Sequence, residues 1–128
     1  MRILLDTHIL LWLADTPERL PDATLDLLSD TRNEIVFSAV NIWEIAIKFA
    51  LNKPDFRTDP QLIFRKAIAE GLIELPVTSE HGIATAALPP LHRDPFDRLL
   101  VGQAAAENML LLTADEAVAA YPGPVRLV

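Results

Sequence analysis

The chain has 128 residues, of which 51% are hydrophobic, and it carries a formal net charge of −7 with no cysteine. This length and composition predict a single globular domain over residues 1–128 and exclude a disordered tail. Without cysteine there are no disulfides or thiolate ligands, and the three histidines lack the short spacing of a zinc site.

Five short apolar runs bounded by polar or turn residues predict buried strands, at 2–5, 34–37, 72–77, 109–112 and 125–128. Helical patterns lie between them, at 22–29, 39–51, 59–70, 79–87, 94–108 and 114–120. The strands do not alternate cleanly with polar residues, which is typical of a parallel sheet covered on both faces. The pattern therefore predicts an α/β fold: a three-layer α/β/α sandwich with a central parallel sheet of four to five strands.

No run of 18 apolar residues is present, and Asp6 interrupts the first apolar run too early for a signal peptide. We therefore expect no membrane segment and a cytoplasmic location.

Acidic residues fall where strands end. Asp6 follows the first predicted strand directly, and Asp115 comes shortly after the fourth. Ser38 follows the second strand, with Glu44 just under two turns into the next helix. Because the carboxyl ends of parallel strands meet at one edge of the sheet, we expect these side chains to share that edge.

A fourth acid, Asp97, lies in the first turn of the helix that Asp94 and Pro95 open, and it is assigned to the same edge. Every one of these acids also has a structural explanation. Asp6 with Thr7 can cap a helix over 8–13, Asp97 suits a first turn, and residues 113–116 read as a capping box that begins at Thr113.

Glu44 is the hardest acid to explain structurally, although it stands four residues before Lys48 in a favourable orientation for an ion pair. Its helix is apolar except for one row formed by Asn41, Glu44 and Lys48. The pattern predicts a mostly buried helix whose polar row faces water or a cleft. Its apolar surplus, which includes Trp43, also offers a homodimer contact, although core packing is the commoner use.

Clustered carboxylates raise one another's pKa, and divalent cations resolve that conflict. Oxygen ligands favour Mg²⁺ or Mn²⁺, which can activate water and stabilise the leaving oxygen of a phosphodiester. The net charge opposes a broad electrostatic grip on nucleic acid, because removing the four acids from −7 still leaves −3. Bound cations, a partner or a dimer would have to compensate.

Four segments, in this order and at these spacings, resemble PIN domains of VapC-type toxins: LDTHILLW at 5–12, SAVNIWEIAIK at 38–48, HRDPFDRLL at 92–100 and LLTAD at 111–115. The resemblance implies a Mg²⁺- or Mn²⁺-dependent endoribonuclease, usually dimeric, that is the toxin of a toxin–antitoxin pair. It implies a small DNA-binding antitoxin of the VapB type as partner.

By position, the resemblance makes Asp6, Glu44, Asp97 and Asp115 the catalytic, metal-binding acids. It makes Thr7, Ser38 and Thr113 supporting polar residues, with Asp94 as a second acid beside Asp97. The basic residues nearest the acids in sequence, and so the candidates for RNA contact, are Lys48, Arg93 and Arg98.

Other functions fit the sequence less well. A Mg²⁺-dependent phosphatase of the haloacid-dehalogenase type needs Asp-x-Asp after the first strand, where this chain has Asp6-Thr7-His8. A receiver-like domain needs an Asp after the third strand, and none is there. A degenerate PIN-like binding domain stays open, although such a domain would usually have lost one of the acids.

Overall fold

The computed structural model describes residues 1–128 and contains one five-stranded sheet in which every pair of neighbouring strands is parallel. The strand order is β3-β2-β1-β4-β5. The strands are β1 (Arg2–Leu5), β2 (Glu34–Ser38), β3 (Ile73–Leu75), β4 (Leu110–Thr113) and β5 (Val125–Leu127).

Seven α-helices connect the strands, together with one 3₁₀ turn over Pro17–Arg19 that the sequence pattern did not predict. The helices are α1 (Thr7–Asp15), α2 (Asp22–Ser29), α3 (Ala39–Ala50), α4 (Pro60–Ala69), α5 (Ser79–Ala86), α6 (Pro95–Glu107) and α7 (Glu116–Ala119). None of them is long and apolar enough to cross a membrane.

Alternate residues of the central strands bury their side chains on opposite faces of the sheet. Ile3 and Leu5 pack in one core cluster with residues of α1 and α4, whereas Leu4 packs in a second cluster with residues of α6 and α7. Both faces of the sheet are therefore covered by helices, and the predicted three-layer α/β/α architecture is confirmed.

Several predicted boundaries are wrong for local reasons. Strand β3 ends at Leu75, because Pro76 has no N–H for the ladder. The predicted capping box that begins at Thr113 does not form: Thr113 ends β4, and Asp115 caps α7 by accepting a hydrogen bond from Ala117 N–H. Helix α3 is also less buried than predicted, since the side chain of Trp43 is 59% exposed.

The sheet order places a topological switch point between β1 and β4. From β1 the chain builds outward through β2 and β3, then returns to place β4 on the other side of β1. The loops that leave β1 and β4 consequently diverge and open a crevice at the carboxyl ends of these two strands, where open α/β sheets bind ligands.

Candidate functional site

Asp6 stands at the floor of this crevice, directly after β1, with only 4% of its surface exposed. Its backbone N–H donates to Leu112 O of β4 at 2.9 Å, which continues the sheet pairing to the last residue before α1. Its carboxylate is fixed from two sides: Oδ1 accepts from Thr7 N–H at 2.6 Å, and Oδ2 accepts from the Thr113 hydroxyl at 2.6 Å. Burial raises the pKa of Asp6 above its ordinary value, although these two hydrogen bonds act in the opposite direction.

Glu44 reaches the crevice from α3 and is 4% exposed. The Thr7 hydroxyl donates to Glu44 Oε1 at 2.7 Å, so α1 and α3 are joined through a side chain of the site. Asn41, one turn earlier on α3, donates to Thr7 Oγ1 at 3.0 Å and to Leu5 O at 3.1 Å. The sequence analysis did not include Asn41 among the site residues, although its place in the polar row with Glu44 was the available signal.

Asp97 enters from the first turn of α6 and is 9% exposed. Burial, followed by the charges of Asp6 and Asp94, raises the pKa of Asp97 to about 7. The charge of Glu44 acts in the same direction, while a hydrogen bond from His92 lowers it. Asp97 is thus close enough to Asp6 and Glu44 to feel both charges, and the three buried acids form one electrostatic unit.

Two further acids lie at the rim of the crevice. The Asp115 side chain is 48% exposed; its Oδ1 caps α7, and its Oδ2 lies 4.0 Å from His92 Nε2. Asp94 caps α6, with Oδ1 accepting from Phe96 N–H at 2.9 Å. Both acids therefore have the capping roles that the sequence suggests, and each also has an oxygen near His92: Asp115 Oδ2 at 4.0 Å, and an Asp94 oxygen within 4.8 Å.

His92 is a site residue whose contacts the sequence did not reveal, because a histidine in a proline-rich loop is usually just solvated. Its Nε2 lies 2.9 Å from Asp97 Oδ2, and its backbone N–H donates to the Tyr121 hydroxyl at 2.9 Å. Donor atoms of His92, Asp94 and Asp97 all lie within 4.8 Å of one another. No short-range motif connects His92 with Tyr121, so only the fold shows this arrangement.

The predicted supporting residues divide into two groups. Thr7 and Thr113 each donate to a buried carboxylate, as described above. Ser38 does not: its hydroxyl accepts from Val40 N–H to cap α3 and donates to Gln103 Oε1 at 2.6 Å. Ser38 thus joins α3 to α6 and makes no direct hydrogen bond to the acids, and its supporting role at the site stays a prediction.

The three predicted RNA-contact residues have different environments. Lys48 pairs with Glu44 Oε2 at 2.8 Å and so offsets part of the site's negative charge. Arg98 donates to Pro89 O, Thr85 O and the Tyr121 hydroxyl, so its guanidinium anchors a loop through uncharged partners. Neither arginine forms a salt bridge, and Arg93 is exposed, so of the two it is the more accessible to a phosphate.

The donor set fits a hard divalent cation. Carboxylate oxygens dominate the crevice, and one imidazole stands beside them. Burial, followed by neighbouring negative charge, raises the pKa of Asp97, and both causes act against its ionised form when no cation is present. A cation held among Asp6, Glu44 and Asp97, with Asp115 and Asp94 at the rim, would supply that compensation.

Comparison with known proteins identifies the family. The family model of the PIN domain matches residues 3–124. This chain belongs to the PIN domain family. No match is found among curated proteins. The resemblance to PIN domains is thereby confirmed at the level of the family.

Solved structures also share the fold of this PIN domain. The VapBC2 complex of Rickettsia felis bound to a promoter DNA fragment contains a chain with TM-score 0.72 and 19% identity, over 99% of this chain and 98% of that one. VapBC-1 of nontypeable Haemophilus influenzae contains a chain with TM-score 0.66 and 16% identity, over 99% of this chain and 98% of that one. DNA-bound VapBC of Salmonella typhimurium contains a chain with TM-score 0.66 and 17% identity, over 100% of this chain and 97% of that one.

Proposed function

We propose that this PIN domain is a divalent-metal-dependent endoribonuclease and the toxin of a toxin–antitoxin pair. The observation that carries the proposal is the crevice between β1 and β4, where Asp6, Glu44 and Asp97 are all buried and where burial, followed by neighbouring negative charge, raises the pKa of Asp97. Burying three acids beside one another is costly for a purely structural device, and such perturbed clusters mark functional sites.

The residues that would hold Mg²⁺ or Mn²⁺ are Asp6, Glu44, Asp97 and Asp115, with Asp94 beside them. When bound, such an ion supplies charge compensation at a phosphodiester and lowers the pKa of a bound water. The carboxylate oxygens fit Mg²⁺ and Mn²⁺ equally well, so the choice of ion is left to the experiment below.

The chain's own residues prepare the carboxylates. Thr113 and Thr7 N–H hold both oxygens of Asp6 in one orientation, and the Thr7 hydroxyl does the same for Glu44 Oε1. His92 orients Asp97 through Oδ2. Hydrogen bonds of this kind keep the ligands in place before the ion arrives, which lowers the free-energy cost of assembling the site.

RNA binding by an acidic protein needs local positive charge. The exposed Arg93 stands next to Asp94 at the rim, and Lys48 adds a second charge beside Glu44. We infer that Arg93 contacts phosphate directly, and that Lys48 chiefly neutralises Glu44.

The toxin role rests on likeness to the VapBC complexes, whose toxin chains share this fold and length. We infer a small VapB-type antitoxin as partner, acting with this chain in the cytoplasm. Exposed apolar side chains along α3, with Trp43 59% and Phe49 42% exposed, support the further inference of a homodimer. Light scattering of the isolated chain tests the dimer, and co-expression with the product of the adjacent short reading frame tests the antitoxin.

A cleavage assay tests the enzymatic part. Partner-free protein is incubated with a mixed RNA pool in chelator, Mg²⁺ or Mn²⁺, alongside Asp6→Asn. We expect metal-dependent cleavage by the native chain and at least about 100-fold less by Asp6→Asn, a size typical of losing transition-state charge stabilisation. Cleavage that persists in chelator would contradict the proposal.

A further inference from the structure

A pocket of about 470 Å³ adjoins the acidic crevice on the side of α1 and α7. It shares two acids with the crevice, so a ligand can occupy both at once. We call it the α1–α7 pocket, and it is lined by Asp6, His8, Trp12, Ala114, Asp115 and Glu116.

One wall of the pocket is aromatic. His8 and Trp12 stand one turn apart on α1, with ring centroids 6.1 Å apart and planes inclined by 51°. Trp12 is half-buried, so its indole is held in place by the core. The Arg19 guanidinium lies over the same indole, 5.1 Å from its centroid, and Arg19 is exposed and forms no salt bridge. This wall is a flat, fixed aromatic surface with the Arg19 guanidinium over one face, so a planar ligand that stacks on that face must take the place of the exposed Arg19 side chain.

The opposite wall is made of carboxylates. Asp115 Oδ1 is used by the cap of α7, whereas the exposed Glu116 carboxylate makes no hydrogen bond within the chain. Carboxylates repel phosphate but accept hydrogen bonds from uncharged groups that carry N–H donors. The pocket therefore suits a neutral, planar ligand with a donor edge better than it suits a phosphate.

A nucleobase has this chemistry. We propose that the α1–α7 pocket binds the base next to the cleaved phosphodiester, with Trp12 as the stacking surface and Glu116 accepting from the base edge. Guanine is the favoured base, because its N1–H and N2–H donate side by side to one carboxylate, whereas uracil presents two acceptors around a single donor. This inference rests on the proposed ribonuclease function and adds a substrate preference to it.

Intrinsic fluorescence tests the stacking. The chain has two tryptophans, so Trp43→Phe leaves Trp12 as the only reporter, and adding Asp97→Asn prevents cleavage without altering the pocket lining. The probes are a uridine hexamer with one guanosine, an all-uridine hexamer and an abasic hexamer with the same phosphates. We expect Trp12 emission to change with the guanosine hexamer, less with uridine, and not with the abasic hexamer.

Matched variants test the two walls by anisotropy of labelled hexamers. Trp12→Leu is expected to weaken guanosine-hexamer binding by roughly 5- to 100-fold, the effect of losing one stacked base, while Trp12→Phe restores most of it. Thermal unfolding of both variants shows whether the core contact of Trp12 survives. Glu116→Gln, on an exposed position, is expected to reduce the preference for guanosine over uridine without changing stability.

Equal binding of the abasic and guanosine hexamers, with unchanged Trp12 emission, would overturn the proposal, as would a guanosine preference that Glu116→Gln leaves intact. Metal-dependent cleavage of the RNA pool by the native chain shows whether a negative result concerns only the base pocket or the ribonuclease function as well. If cleavage is present and the Trp12 response is absent, the base pocket is wrong and the ribonuclease function stands. If cleavage is absent, the proposed function itself fails.

Discussion

Two buried polar clusters lie on the same sheet, and they differ in charge. In the acidic crevice, Asp6, Glu44 and Asp97 are all buried, and burial, followed by the charges of neighbouring acids, raises the pKa of Asp97. The second cluster, which we call the histidine network, joins Ser38, Gln103, His81 and Glu107 beneath α5 and α6.

Each polar side chain of the histidine network has at least one hydrogen-bond partner; the Gln103 amide nitrogen, for example, donates to Pro76 O at 3.4 Å. Thr78 N–H donates to His81 Nδ1 at 3.0 Å, which leaves Nε2–H to donate toward Glu107 Oε1 at 3.2 Å. Gln103 accepts from Ser38, and its amide nitrogen lies 3.2 Å from His81 Nδ1. No buried side-chain polar atom in the chain lacks a partner. Hydrogen bonding is satisfied in both clusters. The acidic crevice therefore differs from the histidine network in its concentration of buried negative charge.

Among the substitutions that test this contrast, we expect the largest effect from Asp97→Asn, which should change how the free energy of unfolding depends on pH. The pKa of Asp97 is raised from 3.8 to about 7 in the folded, metal-free protein. Between these values the unfolded chain loses a proton that the folded chain keeps, so stability falls as pH rises from 4 to 7 and is level above that. Asp97→Asn removes this loss.

We therefore expect Asp97→Asn to raise the free energy of unfolding of the metal-free protein, relative to the native chain, more at pH 8 than at pH 4. Urea denaturation at the two pH values measures the difference. An equal effect of the substitution at both would contradict the charge interpretation of the crevice.

A smaller effect is expected from His92, which acts on the site through Asp97. His92→Ala removes the hydrogen bond that orients the carboxylate and should weaken Mn²⁺ affinity by about 10- to 100-fold, the usual cost of losing a partner of a metal ligand. His92→Gln keeps an N–H donor and should recover part of it. Calorimetric titration of both variants measures this, and equal affinities of His92→Ala and the native chain would refute it.

The smallest effect is expected in the histidine network. Gln103→Leu leaves the Ser38 hydroxyl without its acceptor and should lower the free energy of unfolding by about 1–3 kcal/mol, the cost of an unsatisfied buried group. Mn²⁺ affinity should change far less than with His92→Ala, because the network reaches Glu44 only indirectly, from Ser38 through Asn41 and Thr7. Chemical denaturation measures the free energy of unfolding, and metal titration of the same preparation measures Mn²⁺ affinity. A large loss of Mn²⁺ affinity would show that the two clusters are coupled.

The sequence predicts most of this fold because strands and helices are separated by clear turn and cap signals. Asp94-Pro95 opens α6 as predicted, and Asn108 ends it in a left-handed conformation. The short elements were less accurate: β3 was predicted too long across Pro76, and α7 begins later than predicted because Asp115, not Thr113, is its cap.

The site was predictable where it depends on strand ends and not where it depends on packing. The acids follow from position along the chain, although their catalytic roles stay predictions. Asn41 was missed as a site residue because its partner Thr7 lies far away in sequence. His92 was not assigned to the site because a histidine in a proline-rich loop is usually solvated; Tyr121, which holds its backbone near Asp97, is distant in sequence. Arg98 was proposed for RNA on proximity alone, and its contacts with loop carbonyls became visible only in three dimensions.

The central claim is that the crevice is a divalent-cation site whose charge is undercompensated without the ion. Calorimetric titration of Mn²⁺ at pH 6.5, in two buffers of different ionisation enthalpy, measures binding and proton release together. The account predicts one or more bound ions with protons released, because the cation ionises Asp97, and little release at pH 8. Asp6→Asn should bind far more weakly. Absence of binding, or binding that Asp6→Asn leaves unchanged, would contradict the account.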